Sequence, residues 1–170
     1  NAIQTARYGG TIRVLVRKGK NHKSDNSVEN LILKEKEMGL FDKKLYLSFK
    51  EKALNSKLDL LKLLIELKKT NKEVIGYSLP ARAMTLINYV GIDKDLISYI
   101  VEQPGSLKLN KFVPGTRIPV LSNECLEINQ PEYMLIFAWH LKDDILKHLR
   151  GRGLKGKCII PLPKVEIIDL

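Results

Sequence analysis

A short stretch near the middle of the chain carries residue types that could hold a phosphate. Val74-Ile75 is a β-branched run, Gly76 and Ser78 follow it at a turn, and a helix is predicted from about Pro80 to Gly91. A strand, a small-residue turn and a helix in this order can direct backbone N–H groups and the positive end of a helix at an anion. The dinucleotide fingerprint needs three glycines, and only one is present here. An ordinary strand-to-helix turn explains the pattern equally well.

Other polar and aromatic segments are expected beside this turn. Ligands of open α/β sheets bind beyond the carboxyl ends of the strands, and we expect four segments to meet there: Gly76-Tyr77-Ser78, Glu102-Gln103, Pro114–Arg117 and Trp139-His140. Arginine binds phosphate bidentately, which Arg82 and Arg117 could do, and Tyr77 or Trp139 could stack on a base. Two alternatives stay open. Trp139 could simply fill the end of the sheet, and Arg117 could form a surface ion pair, which is worth little.

The same residues do not form a complete catalytic site. His140 and Asp143 are close in sequence, but such a pair at a helix start is typical of a cap or an ion pair, and no Ser or Cys nucleophile accompanies it. Cys125 and Cys158 are not spaced as metal ligands, and Cys158 lies in an apolar run typical of a buried, inert thiol. His22 has no partner at ligand spacing. We therefore predict no catalytic residue and no metal site in this chain.

Composition limits the class of protein. The 170 residues carry a net charge of +10, with 17 Lys+Arg against 8 Asp+Glu in residues 1–72 and 12 against 11 in residues 73–170. The lysines have acidic neighbours and form no run with interleaved aromatics, which favours a solvated face over nucleic-acid binding. A weaker alternative is that the basic part meets an acidic partner domain or an anionic sugar nucleotide. There is no membrane-spanning run and no secretory signal, so we expect a cytoplasmic protein.

Apolar periodicity predicts alternating strands and helices over one domain of 170 residues, which we expect to be a piece of a longer protein because no initiator Met is present. The predicted elements are a strand over 11–17, a polar loop over 18–26, a helix from Ser27 to near Gly39, one or two helices over 42–67, strands over 96–101, 118–120, 133–138 and 157–160, and a helix over 141–150. This alternation indicates an α/β fold with a mostly parallel sheet and helices on both faces.

Four ordered motifs resemble one known family. Gly76–Tyr89 resembles the Gly-Tyr-Gly-Ala-x-x-Lys-Gly-x-Thr-Leu-Leu-Asn-Tyr segment in the C-terminal domain of S-adenosylmethionine-dependent sugar C-methyltransferases. Tyr8–Arg13 resembles the family's His-Gly-Gly-Ser-Leu-Arg strand, Val113–Val120 its Pro-Gly-Thr-x-Ile-Pro loop, and Ala138–Ile145 its Ala-Trp-Asn strand end and following helix. The resemblance spans nearly the whole chain. Four positions depart from the pattern, namely Tyr8 for His, Ser78 for Gly, Arg82 for Lys and Ala83 for Gly.

The resemblance implies a Rossmann-like three-layer domain that binds the nucleotide end of a nucleotide-diphosphate sugar. It implies these substrate-binding residues: Gly76, Tyr77, Ser78, Arg82, Thr85, Asn88, Gly115, Thr116, Arg117, Trp139 and His140. It also implies that S-adenosylmethionine, a structural zinc and the general base belong to a preceding methyltransferase domain, so that the isolated domain is inactive. Two other interpretations remain open: a nucleotide- or dinucleotide-binding module with a regulatory or redox role, and an assembly domain whose cleft has lost its ligand.

Overall fold

The computed structural model describes residues 1–19, 23 and 25–170. Backbone contacts group these residues into two units, Asn1–Lys52 and Ala53–Leu170, each of which is described by itself. The predicted loop over 18–26, with His22 in it, lies partly outside the described residues.

The first unit contains an antiparallel hairpin and a helix. Strand β1 (Ala2–Thr5) pairs with β2 (Thr11–Val14), and helix α1 (Ser27–Glu37) follows. The strand predicted over 11–17 is therefore shorter than expected, and β1 was not predicted at all. Ser27 does not cap α1, because its hydroxyl instead accepts the N–H of Ala2 at 2.8 Å. Helix α2 (Lys43–Lys69) is one continuous helix that begins in the first unit and ends in the second.

The second unit is built on a six-stranded sheet. Its strands are β3 (Val74–Tyr77), β4 (Ile100–Glu102), β5 (Val120–Ser122), β6 (Tyr133–Ile136), β7 (Lys157–Ile160) and β8 (Glu166–Asp169). The order across the sheet is β5-β4-β3-β6-β7-β8, with β8 antiparallel to β7 and all other pairs parallel. Counted from β3, this is the 3-2-1-4-5-6 order of dinucleotide-binding sheets. The order reverses between β3 and β6, where a crevice is expected.

Helices cover both faces of this sheet, as predicted. The second half of α2 and helix α3 (Ala81–Val90) pack on one face through side chains such as Leu64 and Ile87. Helix α4 (Lys142–Gly151) packs on the other face through Leu146 and Leu149. All residues of β3 and β6 are buried, which explains why both strands read as continuous apolar runs. The α/β fold with three layers is confirmed.

Several strands of the sheet differ from the prediction. Strand β5 spans Val120–Ser122 rather than 118–120, and β6 ends at Ile136 rather than at 138. Strand β4 begins at Ile100 rather than at 96, because the N–H of Ile97 is donated to the carbonyl of Asp93 in a turn that follows α3. Strand β8 continues the sheet beyond Pro161, where β7 was expected to be the last strand. Strand β8 is at the edge of the sheet. Edge strands are often short and charged, so the apolar pattern of β8 is weak. No helix among the described residues combines the length and the apolar character needed to cross a bilayer.

Candidate functional site

A crevice of about 460 Å³ lies at the carboxyl ends of β3, β4 and β6. Tyr77 and Ser78 line it from the end of β3, Glu102 and Gln103 from the end of β4, and Ala138 from the end of β6. It therefore lies at the point where the strand order reverses, which is the usual ligand position in this kind of sheet. Its remaining lining residues are Pro80, Val101, Lys108, Asn123, Leu141, Asp144, Ile145 and His148.

The turn between β3 and α3 uses its backbone donors within the protein. The N–H of Gly76 is donated to the carbonyl of Tyr99 at 2.8 Å, and the N–H of Ser78 to the carbonyl of Val101 at 2.9 Å. The N–H of Leu79 is donated to Oε1 of Glu102 at 2.6 Å. Ser78 adopts a left-handed conformation with φ of 64°. These three N–H groups thus have acceptors of their own, so a ligand would bind through side chains or through the first N–H groups of α3.

An ion pair holds this turn from the side of β4. Nζ of Lys108 lies 3.2 Å from Oε1 of Glu102 and also donates to the carbonyl oxygen of Leu79. The Glu102 side chain is only 12% exposed. A carboxylate that accepts a backbone N–H and pairs with an ammonium resembles the bonding that a phosphate oxygen would have at a helix start. Glu102 therefore occupies the anion position of the turn.

Gly76 is needed for packing rather than for ligand access. A Cβ at this position would lie 2.6 Å from Cε2 of Phe137 and 2.7 Å from Cγ1 of Ile100. Both contacts are shorter than carbon atoms tolerate, so the ring and the aliphatic side chain fill the space that a larger residue would need. The glycine lets neighbouring strands and Phe137 approach closely.

Tyr77 forms the floor of the crevice. Its ring belongs to the core under α4 and is 8% exposed. Burial raises the pKa of its hydroxyl, while the positive charge of Arg152 and a hydrogen bond with the Asn123 side chain act in the opposite direction. Tyr77 and Asn123 thus make a largely buried polar pair that stays uncharged at neutral pH.

Arg82, Trp139 and His140 lie together at the start of α3 and the end of β6, and none of them lines the crevice, contrary to the expectation for Trp139-His140. The Arg82 guanidinium carbon is 6.0 Å from the centroid of the Trp139 ring, and the Trp139 and His140 rings meet edge to face at 6.2 Å. Trp139 packs against the cores on both faces of the sheet, so it does fill the sheet end. Burial, and secondly the charge of Arg82, lower the pKa of His140 below its usual value of 6.5.

The Pro114–Arg117 segment does not join the crevice, contrary to expectation. The N–H of Thr116 is donated to the carbonyl of Val113, and Gly115 has φ of 80°, as in a Pro-Gly turn. The buried Thr116 hydroxyl donates to the same carbonyl and accepts the N–H of Ile118. This turn immediately precedes β5, so it lies toward the amino ends of the strands. The crevice lies at their carboxyl ends.

Thr85, Asn88 and Arg117 also lie outside the crevice lining. Thr85 and Asn88 are exposed on α3, where Asn88 donates to the carbonyl of Met84 at 2.8 Å. A Cβ on Gly115 would lie 3.7 Å from Oδ1 of Asn88, so the turn and the helix are neighbours. Arg117 is exposed with φ of 59°. The two sequence motifs that contain these residues therefore pack against each other, α3 against the turn before β5.

Sequence reasoning missed four polar residues of the crevice: Lys108, Asn123, Asp144 and His148. Asp144 and His148 are four residues apart on α4, and that spacing on the polar side of the helix could have indicated a shared surface. Lys108 and Asn123 lie in irregular segments that carry no motif. Where the structure describes the chain, no three His, Cys, Asp or Glu side chains come close enough to hold a metal ion.

The sheet order and the crevice at its reversal point define an α/β domain of the Rossmann type. The family model of the C-methyltransferase C-terminal domain matches residues 6–163, and the chain belongs to this family. It is also similar to the C-methyltransferase NovU from Streptomyces niveus, with 26% identity over 166 residues. That alignment covers 95% of this chain and 39% of NovU, so the chain spans well under half of the relative's length.

Proposed function

We propose that this domain holds the nucleotide end of a nucleotide-activated sugar while a separate domain transfers a methyl group from S-adenosylmethionine to a sugar carbon. Family membership supports the role in C-methylation, and NovU, which is named a C-methyltransferase, is a much longer protein. A cytoplasmic setting is part of the same proposal.

The observation that carries the proposal is the position of the crevice. It lies at the reversal of strand order, where sheets of this topology bind nucleotides. Its volume of about 460 Å³ lies within the range of small-molecule sites. The amides of Gln103 and Asn123, the hydroxyl of Ser78 and the carboxylate of Asp144 offer donors and acceptors that suit the base and ribose of a nucleoside.

The diphosphate is assigned to the side-chain cations at the same edge of the sheet. Lys108 lines the crevice, and Arg82 lies outside the lining, at the first turn of α3 beside Trp139. Glu102 and Asp144 balance the charges of Lys108 and Arg82, so the affinity for a nucleoside diphosphate rests on hydrogen bonds to the base and ribose as well as on these two cations. Because the N–H groups of Gly76, Ser78 and Leu79 already have acceptors, we assign binding to these side chains and to the start of α3.

The domain's contribution to catalysis would be positioning. Holding the sugar nucleotide in attack geometry can supply much of a rate enhancement. The described residues near the crevice offer no nucleophile with an orienting base. We assign S-adenosylmethionine, a structural zinc and the general base to a preceding domain of the same protein, and we expect this chain alone to transfer no methyl group.

A nucleotide- or dinucleotide-binding module with another role is the second candidate. Glu102 is the last residue of β4, and an acidic residue at the end of the second strand is where dinucleotide-binding sheets bind the ribose. Its carboxylate is already bonded to Leu79 and Lys108, which weighs against that role. The third interpretation, an assembly domain without a ligand, predicts no binding by the crevice.

A calorimetric titration of the purified chain distinguishes the three candidates. We expect saturable binding of thymidine diphosphate and none of NAD or S-adenosylmethionine. The variant Leu141→Trp places a bulky side chain at the crevice wall and should abolish this binding. Leu107→Trp is the matched control, because Leu107 is 88% exposed and lies outside the crevice. Binding of NAD alone would favour the second candidate, and binding of none of the three ligands would favour the third.

A further inference from the structure

The first unit, Asn1–Lys52, has no buried residue in the part that the structure describes. Its large apolar side chains are exposed, including Val14 at 60%, Val16 at 90%, Phe41 at 72% and Phe49 at 69%. A two-stranded hairpin is marginally stable by itself in water, and exposed apolar surface on this scale marks an interaction site. This unit therefore needs a partner that supplies the missing half of its core.

The hairpin register shows which apolar side chains share a surface. Ala2 lies opposite Val14 and Gln4 opposite Ile12, so these four residues are on one face of the hairpin. Val16 continues the same alternation two residues after Val14. Because side chains on a strand alternate between faces, Ile12, Val14 and Val16 form one apolar row along β2 and its extension. A row of this kind is typical of a strand that belongs inside a larger sheet.

The two edges of the hairpin differ. On the outer edge of β1, the N–H of Ala2 is donated to Oγ of Ser27, the first residue of α1. Nζ of Lys34 in α1 also reaches the Gln4 side chain at 2.9 Å. Strand β2 pairs with β1 alone within the described residues. Its outer edge is therefore a template for a further strand.

The family match indicates what this edge meets. It begins at residue 6, between β1 and β2, so the match includes β2 and not β1. The chain covers only 39% of NovU, so the relative has a long further part that could meet this hairpin. A hairpin that lies at the start of the family match and exposes an apolar row is suited to join such a part.

We propose that β2 adds edge-on to the sheet of the methyl-transferring domain and buries Ile12, Val14 and Val16 in the joint. The identity of this partner rests on the function proposed above. Main-chain hydrogen bonds along β2 would fix the register, and the apolar row would supply the burial. The contact would couple the nucleotide-holding domain to the domain that carries the cofactor.

Thiol labelling tests the joint. In a Cys125→Ser background, Val16→Cys and Ile128→Cys place thiols at sites of equal exposure, since Ile128 is 92% exposed. In the protein that carries both domains we expect labelling of Val16→Cys to slow at least ~10-fold relative to the 170-residue chain, while Ile128→Cys is unchanged. Equal rates for Val16→Cys in the two proteins would overturn the proposal.

Two further outcomes would also overturn it. Protection of Val16→Cys within the 170-residue chain that grows with concentration would identify a second copy as the occupant. Protection there at every concentration would identify the second unit. Amide exchange at Ile12 and Val14 in the unmodified two-domain protein gives the same information without a substitution, and slowing is expected only when the second domain is present.

This test is independent of substrate. Protection without any nucleotide-sugar methylation would leave the joint standing and contradict the proposed function. Nucleotide binding without protection would support that function and contradict the joint.

Discussion

The carboxylate of Glu102 and the ammonium of Lys108 lie 3.2 Å apart. The carboxylate accepts the backbone N–H of Leu79, and the ammonium donates to the backbone carbonyl of the same residue. This links the loop after β4 to the turn after β3. The turn carries Ser78 in a left-handed conformation, which costs free energy for a residue other than glycine. The ion pair therefore helps to keep one wall of the crevice in place.

Removing this carboxylate should destabilise the turn. Glu102→Ala leaves the Leu79 N–H without its acceptor, and we expect a loss of roughly 1–3 kcal/mol in the free energy of unfolding. Glu102→Gln keeps an acceptor oxygen and should cost less. Urea unfolding of both variants measures these losses. Unfolding of Lys108→Met and of the double variant Glu102→Ala/Lys108→Met then gives the coupling energy between Glu102 and Lys108. Equal losses for Gln and Ala would contradict a role for the hydrogen bond.

A methyl group at Gly76 should strain the core. Because its Cβ would lie 2.6 Å from Phe137 and 2.7 Å from Ile100, we expect Gly76→Ala to lower the free energy of unfolding by roughly 1–3 kcal/mol. Combining it with Phe137→Leu should cost less than the sum of the two single losses, because the smaller side chain makes room. Additive losses in thermal or urea unfolding would show that the close approach is not the cause.

The two cysteines should react very differently with thiol reagents. Burial raises the pKa of Cys158 to about 12, and Cys158 is fully enclosed in the core. Cys125 is only partly buried, although burial raises its pKa as well. We expect one thiol to react slowly in the folded protein and the second only after unfolding. Cys125→Ser should remove the first reaction, and rapid labelling of Cys158 in the native state would contradict the structure.

His140 should make stability depend on pH on the acidic side of neutrality. Its pKa is lowered in the folded protein by burial and by Arg82, so below the usual value near 6.5 the unfolded chain takes up the proton first. Stability should then fall as pH falls through that window and should be unaffected by this group above it. Urea unfolding at about pH 5.5 and about pH 7.5 measures the fall, which His140→Gln should reduce. Arg82→Gln should also reduce it, and an unchanged fall in both variants would exclude this cause.

The sequence predicted the parts of the fold that carry strong local signals. Strands β3 and β6 are apolar throughout because both faces are buried, and Gly91 ends α3 with φ of 84° as a left-handed cap. Strands β1 and β8 were missed because they mix polar with apolar types, whereas β3 and β6, of the same length, are apolar throughout. The place of β1 and β8 is decided by pairing with a neighbouring strand, which no local pattern records.

The candidate site was predicted in part, for a related reason. Tyr77 and Ser78 were found because a turn after a buried strand marks a carboxyl end. The segment around Gly115 was assigned to the same edge, although it lies just before β5 and so toward the opposite end of the strands. Lys108 reaches the crevice from an irregular loop, and only the folded path of that loop shows it.

The most direct test of the central claim locates the ligand on the domain. In amide NMR spectra of the labelled 170-residue chain, thymidine diphosphate should shift the signals of Ser78, Glu102 and Gln103 in a saturable manner, and those of Gly115 and Arg117 should stay unchanged. Shifts confined to the Gly115 turn, or no saturable shift at any residue, would contradict a nucleotide site at the carboxyl ends of the sheet.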